Sequence, residues 1–411
     1  MTQQSRIRTL DLIRGFAVMG ILAINVASFA QPGAAAYSPR LAGPGSPADD
    51  WAFMLRLVVF EGKMRALFAM LFGASLLLYL ERKEAGGTDG VVLQMRRLFW
   101  LALFGLLHFA LLWDGDILFL YACVGLGALI LRRAPPAALG IVALATFTIW
   151  QAWGVASWMP SVEREARVLS GSASASDVQE HAAIIHDYRE EAKADAVATL
   201  SPFGAEVRTR LDTRWDYPLA MLAYNWGEIL SYMLIGMALL RSGFLAGAWP
   251  PRLLRKLAVG LGGGGLAVTM LFAAWAQQSA FPELAMHMAL GYALAFPHLL
   301  MALGYMALLV LFAPRLLASR IGERIEAAGK VAFTNYIGST VLMCGIFSGW
   351  GLGLFGQFGA AQQSWFILLG WAAILAWSKP WLARFPQGPM EWAWRGLTEW
   401  RSRARPGASQ A

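Results

Sequence analysis

Apolar positions along this chain come in continuous runs and not in alternation, and about ten runs approach the roughly 20 residues that a helix needs to cross a bilayer core. They lie near residues 10–30, 52–80, 98–116, 117–131, 136–158, 218–240, 257–276, 287–312, 331–350 and 364–383. Continuous runs predict helices, which satisfy their own backbone groups in lipid, and disfavour sheets and barrels, whose strands alternate. The expected fold is all-α, a polytopic transmembrane helix bundle.

Composition sharpens this picture. The chain has 411 residues, 57% hydrophobic and 15% charged, with mean hydropathy +0.50, which excludes a soluble enzyme. A formal net charge of +8 would suggest a nucleic-acid partner in a soluble chain. Here the basic residues border the apolar runs, so the expected partner is the lipid bilayer and no nucleic acid. Cys123 and Cys344 are the only cysteines, too few for a disulfide framework and outside any metal-binding spacing, so no metal is expected.

Lys and Arg also set the orientation. Arg6 and Arg8 precede the first run; Arg82, Lys83, Arg96 and Arg97 separate the second from the third; Arg132 and Arg133 follow the fourth. Arg241, Arg252, Arg255 and Lys256 follow the sixth, Arg315, Arg320, Arg324 and Lys330 the eighth, and Arg384, Arg395, Arg401, Arg403 and Arg405 the last. The short loops of opposite parity hold only Arg40, which makes both termini cytoplasmic.

One long polar stretch lies between the fifth and sixth runs. It carries a balance of −4 over residues 159–216, so the rest of the chain stands at +12. Parity places it outside the membrane. Ser170–Ser176 reads as a linker and Asp177–Ala198 as a surface helix with Ser176 as its N-cap. The expected organisation is a five-helix bundle over 1–158, a partly helical extracytoplasmic insertion over 159–216, a second five-helix bundle over 217–385 and a basic cytoplasmic tail over 386–411. Phe16–Ala27 with Ser28-Phe29-Ala30 also resembles a signal peptide with its cleavage site. Asp11, Arg14 and Asn25 inside it fit a retained helix better. Gly262–Gly265 reads as a tight helix–helix contact, the alternative being backbone approach to a phosphate.

Ionisable residues inside spans are costly and serve as functional candidates. Counting about 1.5 Å per residue from the cytoplasmic ends, His108 lies roughly 15 Å deep, Asn25 roughly 16 Å, Glu228 roughly 19 Å and His298 roughly 22 Å, near one level. Glu61, Lys63, Arg65, Asp114 and Asp116 form a group nearer the outer face. Glu61 and Arg65 stand four apart, on one face of a helix, which leaves Lys63 to meet an aspartate. The group reads either as an interfacial salt-bridge cluster or as a substrate vestibule. Asp11, Arg14 and Asn335 lie near the cytoplasmic face, and Asp11, Arg14 and Asn25 share one stripe of the first helix. His108, eight residues from Asp116, is the candidate general base, the alternative being a histidine that bonds helices together. His181 and His186 are expected to be solvated, and His287 to sit at the outer interface.

Several stretches are similar to a known family. Arg8-Thr-Leu-Asp-Leu-Ile-Arg-Gly through Asn25, Phe60-Glu-Gly-Lys-Met-Arg-Ala-Leu-Phe and His108 with Trp113-Asp-Gly-Asp-Ile-Leu resemble the YeiB-type family of bacterial inner-membrane proteins, domain of unknown function 418. Gly236-Met-Ala-Leu-Leu-Arg-Ser-Gly-Phe244 and Gly329-Lys-Val-Ala-Phe-Thr-Asn-Tyr336 extend the resemblance over nearly the whole chain. Its N-terminal half is similar to the transmembrane acyltransferases that include heparan-α-glucosaminide N-acetyltransferase. That resemblance implies transfer of an acyl group from acetyl-CoA or another acyl-CoA to an extracytoplasmic, sugar-like acceptor. It implies His108 as catalytic histidine, and it places Asp11 and Arg14 in the shared motif.

Two functions follow as expectations. In acyl transfer, His108 acts as general base and Asp116 or Asp114 orients it. Glu61, Lys63, Arg65, Asn25 and Glu228 face the small-molecule or glycan acceptor, while Asp11, Arg14 and Asn335 face the CoA co-substrate. Arg82, Lys83, Arg96 and Arg97 are available to its phosphates. The alternative is a secondary transporter or permease for a small anionic or zwitterionic solute, which midplane polar residues would also serve. A structural role for the insertion is a third possibility, and the oligomeric state, homodimer included, is left open.

Overall fold

The computed structural model describes residues 3–42 and 45–399, with side chains over 8–41 and 45–399; the Arg6 side chain, and Arg401, Arg403 and Arg405 with the rest of the expected tail beyond residue 399, lie outside that description. The described chain is helical, and it contains no strand. Seven helices are long and apolar enough to cross a membrane: Arg8–Ala30, Pro47–Ala85, Gly90–Leu111, Pro136–Leu169, Pro251–Gln278, Ala295–Leu316 and Ala360–Leu382. Leu118–Ile130 and Ala332–Phe347 are apolar but shorter.

In chain order the elements are α1 (Gln3–Ala30), α2 (Pro47–Val59), α3 (Lys63–Ala85), α4 (Gly90–Leu111), α5 (Leu118–Ile130) and α6 (Pro136–Leu169). The insertion follows as α7 (Ala175–Thr199) and α8 (Phe203–Thr213). Then come α9 (Tyr217–Arg241), α10 (Pro251–Leu257), α11 (Gly263–Gln278), α12 (Glu283–Met288), α13 (Ala295–Leu316), α14 (Arg320–Lys330), α15 (Ala332–Phe347), α16 (Ala360–Leu382) and α17 (Pro389–Glu399). Basic segments distant in the chain meet at one end of the bundle, where Arg241 reaches Glu81 and the Arg132 carbonyl, Lys83 pairs with Glu399 and Arg97 lies against Trp394. The insertion meets the turn after α4 through Arg210 and Arg214.

The expected apolar runs are found largely in helix, the 98–116 run ending early at Leu111, and three further features differ from expectation for physical reasons. The 52–80 run is broken: α2 stops at Val59, Gly62 takes φ of +71°, and α3 begins at Lys63. Such a φ strains any residue with a Cβ, and a Cβ at this point would also collide with the His298 ring, so glycine is required twice over. The fifth run does not end at residue 158, because α6 continues to Leu169 and brings Glu165 to α12. There the Glu165 carboxylate accepts from the amides of Leu284 and Ala285 at 2.9 and 2.8 Å and so caps that helix. The insertion helix starts earlier than expected, because Ser174 and not Ser176 is its cap, accepting from Asp177 N at 3.1 Å.

The two expected five-helix bundles both contribute to the largest buried cluster. Leu10 and Ile13 of α1, Met70 of α3, Tyr121 of α5, Met233 and Met237 of α9, Met306 of α13 and Tyr336 of α15 belong to one buried cluster. Close helix crossings allow this: a Cβ on Gly73 would strike the backbone of Met233, and one on Gly236 the backbone of Met70. The glycine run at 262–265 is a helix contact as well, with Gly262 against the backbone of Gly304 and Gly265 against Pro297.

Candidate functional site

α4 ends at Leu111, and the Trp113-Asp-Gly-Asp turn reverses the chain into α5. The relation between His108 and Asp116 is thus set by the turn and not by a shared helix face. It nonetheless brings them together: His108 Nδ1 lies 3.0 Å from Asp116 Oδ1, with side chains only 1% and 4% exposed. Asp116 Oδ2 accepts from Phe119 N at 2.9 Å, which caps the start of α5 and fixes the carboxylate. A carboxylate on Nδ1 makes that nitrogen the donor and leaves Nε2 as the basic atom.

Nε2 lies 3.1 Å from Thr340 Oγ1 on α15, and the same hydroxyl reaches the Tyr336 carbonyl at 3.2 Å. Two proton arrangements satisfy every group. With a neutral imidazole, Thr340 donates to Nε2. With an imidazolium, Nε2–H donates to Thr340, whose proton turns to the Tyr336 carbonyl. The dyad can therefore accept and return a proton without orphaning a buried atom. The Tyr336 ring lies 5.2 Å from the imidazole, and Tyr336 also lines a cavity of about 200 Å³ whose wall includes the basic-end residues Arg14, Arg97 and Lys330.

That cavity holds Arg14, one of the expected cofactor residues. Arg14 Nη1 donates to Asp11 Oδ1 at 2.7 Å and Nη2 to Ser75 at 2.9 Å, which ties α1 to α3. Asn335 does not line the cavity: its amide donates to Ala328 O and Ser378 Oγ and accepts from the Trp377 indole, so its polar atoms join α14, α15 and α16. Asp114 lies apart from His108. Arg214 of the insertion donates to it at 2.6 Å and also pairs with Asp195. Of the two expected orienting aspartates, the structure brings only Asp116 to the histidine.

The outer charge group is rearranged by the break at Gly62. Glu61 and Arg65 no longer share a helix, and Arg65 pairs instead with Glu228 of α9 at 3.3 Å. Tyr232 donates to the same carboxylate oxygen at 2.8 Å. The Arg65 side chain remains 34% exposed although its helix runs through the core, while its Nε is buried without a partner. Glu61 has no ion pair among the described residues, and Asn25 sits half-buried on α1. Lys63 meets no aspartate: fully buried, its ammonium donates to Leu57 O at 2.7 Å, at the carbonyl end of α2 that the break exposes. His298 is 2% exposed and packs against Gly62, its Nε2 without a partner. Tyr121 borders both regions, lining the cavity and donating from its hydroxyl to Arg65 O at 3.5 Å.

The insertion grips the end of α4 next to the dyad. Arg210 donates to the carbonyls of Phe109 and Ala110 at 3.2 and 3.1 Å and pairs with Glu206 at 2.6 Å. Burial pushes the Glu206 carboxyl above the usual range against the pull of Arg210. Nothing in the local sequence around Thr340 or Arg210 marks them, and the stretch that ends at Tyr336 resembles the family without pointing to His108, because each acts on a residue a hundred or more positions away.

Comparison with known proteins places the chain among relatives. The profile of a family described as protein of unknown function (DUF418) matches residues 239–401. The chain is 31% identical to the Escherichia coli (strain K12) uncharacterized protein YeiB, over 95% of each chain. It is 29% identical to the Bacillus subtilis (strain 168) uncharacterized protein YxaH, over 96% of this chain and 94% of that one. No solved structure matches it.

Proposed function

This chain belongs to the YeiB-type DUF418 family, and for it we propose transmembrane acyl transfer in the bacterial inner membrane, from an acyl-CoA to a hydroxyl or amine of an extracytoplasmic, sugar-like acceptor. The observation that carries the reading is the buried His108–Asp116 dyad, a base fixed in one tautomer by a carboxylate, with a hydroxyl waiting at Nε2. In the transfer the acceptor's oxygen or nitrogen attacks the acyl carbon, and its proton goes to His108 Nε2 as Thr340 turns toward the Tyr336 carbonyl. The carbon–sulfur bond breaks as the new acyl bond forms, and the departing thiolate recovers the proton from the imidazolium. Arg65 and Glu228 are suited to hold polar groups of the acceptor, and Arg14 with its neighbours at the basic end to meet the donor's negative charge.

The test uses the full-length protein in proteoliposomes supplied with labelled acetyl-CoA and an amino-sugar acceptor, reading free CoA and labelled product. Loss of the general base should lower turnover by about 10²–10⁴-fold in His108→Ala. Unchanged turnover in that variant sinks the assignment.

The break between α2 and α3 favours a second reading. A helix interrupted near buried Lys63 and Glu228 and the partly exposed Arg65 is an arrangement by which transporters hold polar solutes. Solute flux in the same vesicles that depends on Arg65 and Glu228 but not on His108 would favour a permease.

A further inference from the structure

The cavity at the basic end has a chemistry that the dyad does not account for. Its walls toward α3, α4 and α5 are hydrocarbon and aromatic, from Phe68, Leu71, Phe72, Leu101 and Leu118, while Arg14, Arg97 and Lys330 supply cationic groups. Arg14 is paired with Asp11 and Lys330 with Glu326. Arg97 differs: its guanidinium lies between the rings of Tyr79 and Trp394, 4.3 and 4.1 Å from their centroids, and among the described residues it pairs with no carboxylate. A guanidinium held between two rings, with no carboxylate partner, has N–H groups left for an anion at little further entropic cost.

A second observation points the same way. Gln94, one turn before Arg97 on α4, lines the cavity at 2% exposure, and its Oε1 has no hydrogen-bond partner. A buried amide oxygen left unpaired calls for a donor, which the P–OH of a phosphate monoanion or the glycerol hydroxyl of a lysophospholipid would bring beside the anionic oxygens that Arg97 meets. Glu391, the acidic residue in the cavity wall, is committed elsewhere, accepting from the amides of Phe333 and Thr334 and from the Thr334 hydroxyl. Its helix, α17, roofs the cavity, held by the Trp394 indole donating to Arg97 O at 2.8 Å.

From the unpaired Arg97 edge, the orphaned Gln94 amide and the apolar walls beside them, we propose that this cavity binds a single-chain anionic amphiphile, its carboxylate or phosphate head on Arg97 and its hydrocarbon along Phe68, Phe72 and Leu101. The hydrocarbon walls suit an alkyl chain, and the cationic side selects an anionic head over a neutral one. Two sources share this chemistry, a free fatty acid and a lysophospholipid. Arg14 and Arg97 line the same cavity through which acyl transfer would meet its donor, so the experiment below includes coenzyme A and His108→Ala to tell the two readings apart.

The experiment titrates full-length protein in phosphatidylcholine nanodiscs with dodecyl phosphate, followed by calorimetry and by tryptophan emission. Dodecanol and inorganic phosphate serve as controls. Saturable binding of dodecyl phosphate is expected, with both controls weaker by about tenfold or more, since a charge-assisted contact and the apolar contact are each needed. Arg97→Gln and the near-isosteric Gln94→Glu should each weaken it by about tenfold or more, through a lost cation or an added like charge. Lys330→Gln, at an exposed position, gives a third reading in case the buried variants fail to fold, with a smaller loss. His108→Ala should bind as the native protein does, which separates this inference from acyl transfer. Laurate and lysophosphatidate arms identify the source, and preferential binding of either supports the site. Equal binding of dodecanol, indifference to all three cavity substitutions, or full displacement by coenzyme A lacking an acyl group would each overturn it.

Discussion

Arg210 of the insertion donates to the carbonyl oxygens of Phe109 and Ala110, the two residues that follow His108 on α4. The helix that carries the histidine is thus ended by a cation from outside its own half of the chain. A guanidinium at a helix C-terminus satisfies otherwise orphaned carbonyls and complements the helix dipole. The insertion is therefore part of the scaffold of the dyad.

Replacing that guanidinium should be felt both in stability and at the dyad. Arg210→Met leaves Glu206 buried without its partner and three carbonyls short of a donor, a loss of about 3–5 kcal/mol for a broken buried pair. Thermal unfolding in detergent should fall accordingly, and Arg210→Met with Glu206→Leu should recover most of it. A melt unchanged by the single substitution would show that the cap contributes nothing.

Asp116→Asn tests orientation without a change of shape. The amide can still meet Nδ1, but it no longer forces Nδ1 to be the donor, so Nε2 loses its role as base. We expect acyl transfer to drop by about 10²–10⁴-fold, with binding of dodecyl phosphate unaffected. Asp114→Asn, which loosens only the pair with Arg214, should keep most of the activity.

The interruption between α2 and α3 depends on Gly62. Gly62→Ala places a Cβ at φ of +71° and against His298, and should destabilise the protein by about 1–3 kcal/mol from backbone strain alone. Pairing it with His298→Ala relieves the collision but not the strain, so rescue should be partial. Full rescue would mean that the left-handed backbone costs nothing there.

His287 supplies a pH-dependent contact at the insertion end, outside the long spans. Its ring is stacked between Tyr37 and Trp158, at 4.1 and 4.2 Å, with Tyr188 beyond at 6.2 Å, and burial lowers its pKa to about 4. The folded state favours the neutral ring. Its contribution is complete above the unfolded value of about 6.5 and is lost as pH falls from there through about 4. Thermal stability should decline across this window in the native protein, and His287→Phe should flatten that part of the profile. An identical profile in the variant would remove His287 as the cause.

Much of this architecture was legible in the linear chain because its cause is local. Helices in an apolar solvent need only an unbroken run of apolar residues, so the all-α fold, the run positions and the polar insertion follow from hydropathy and charge. The eight-residue interval marked Asp116 beside His108, with Asp114 as the alternative, because all three lie on one short stretch; that a turn and not a helix face joins the pair appeared only in the structure. Long-range relations left no such trace. Glu61 and Arg65 look like neighbours on a helix until Gly62 turns the backbone to positive φ, after which Arg65 faces Glu228 and Lys63 caps α2. Asn335 looks like a membrane-face ligand until α14 and α16 close on its amide. Thr340 at the imidazole, Arg210 on α4 and Trp394 over Arg97 are brought to their partners only by packing of helices distant in the chain. Hydropathy fixes which segments become helices, whereas which polar atoms meet depends on crossings and breaks decided by side-chain volume and backbone conformation once the whole bundle has closed.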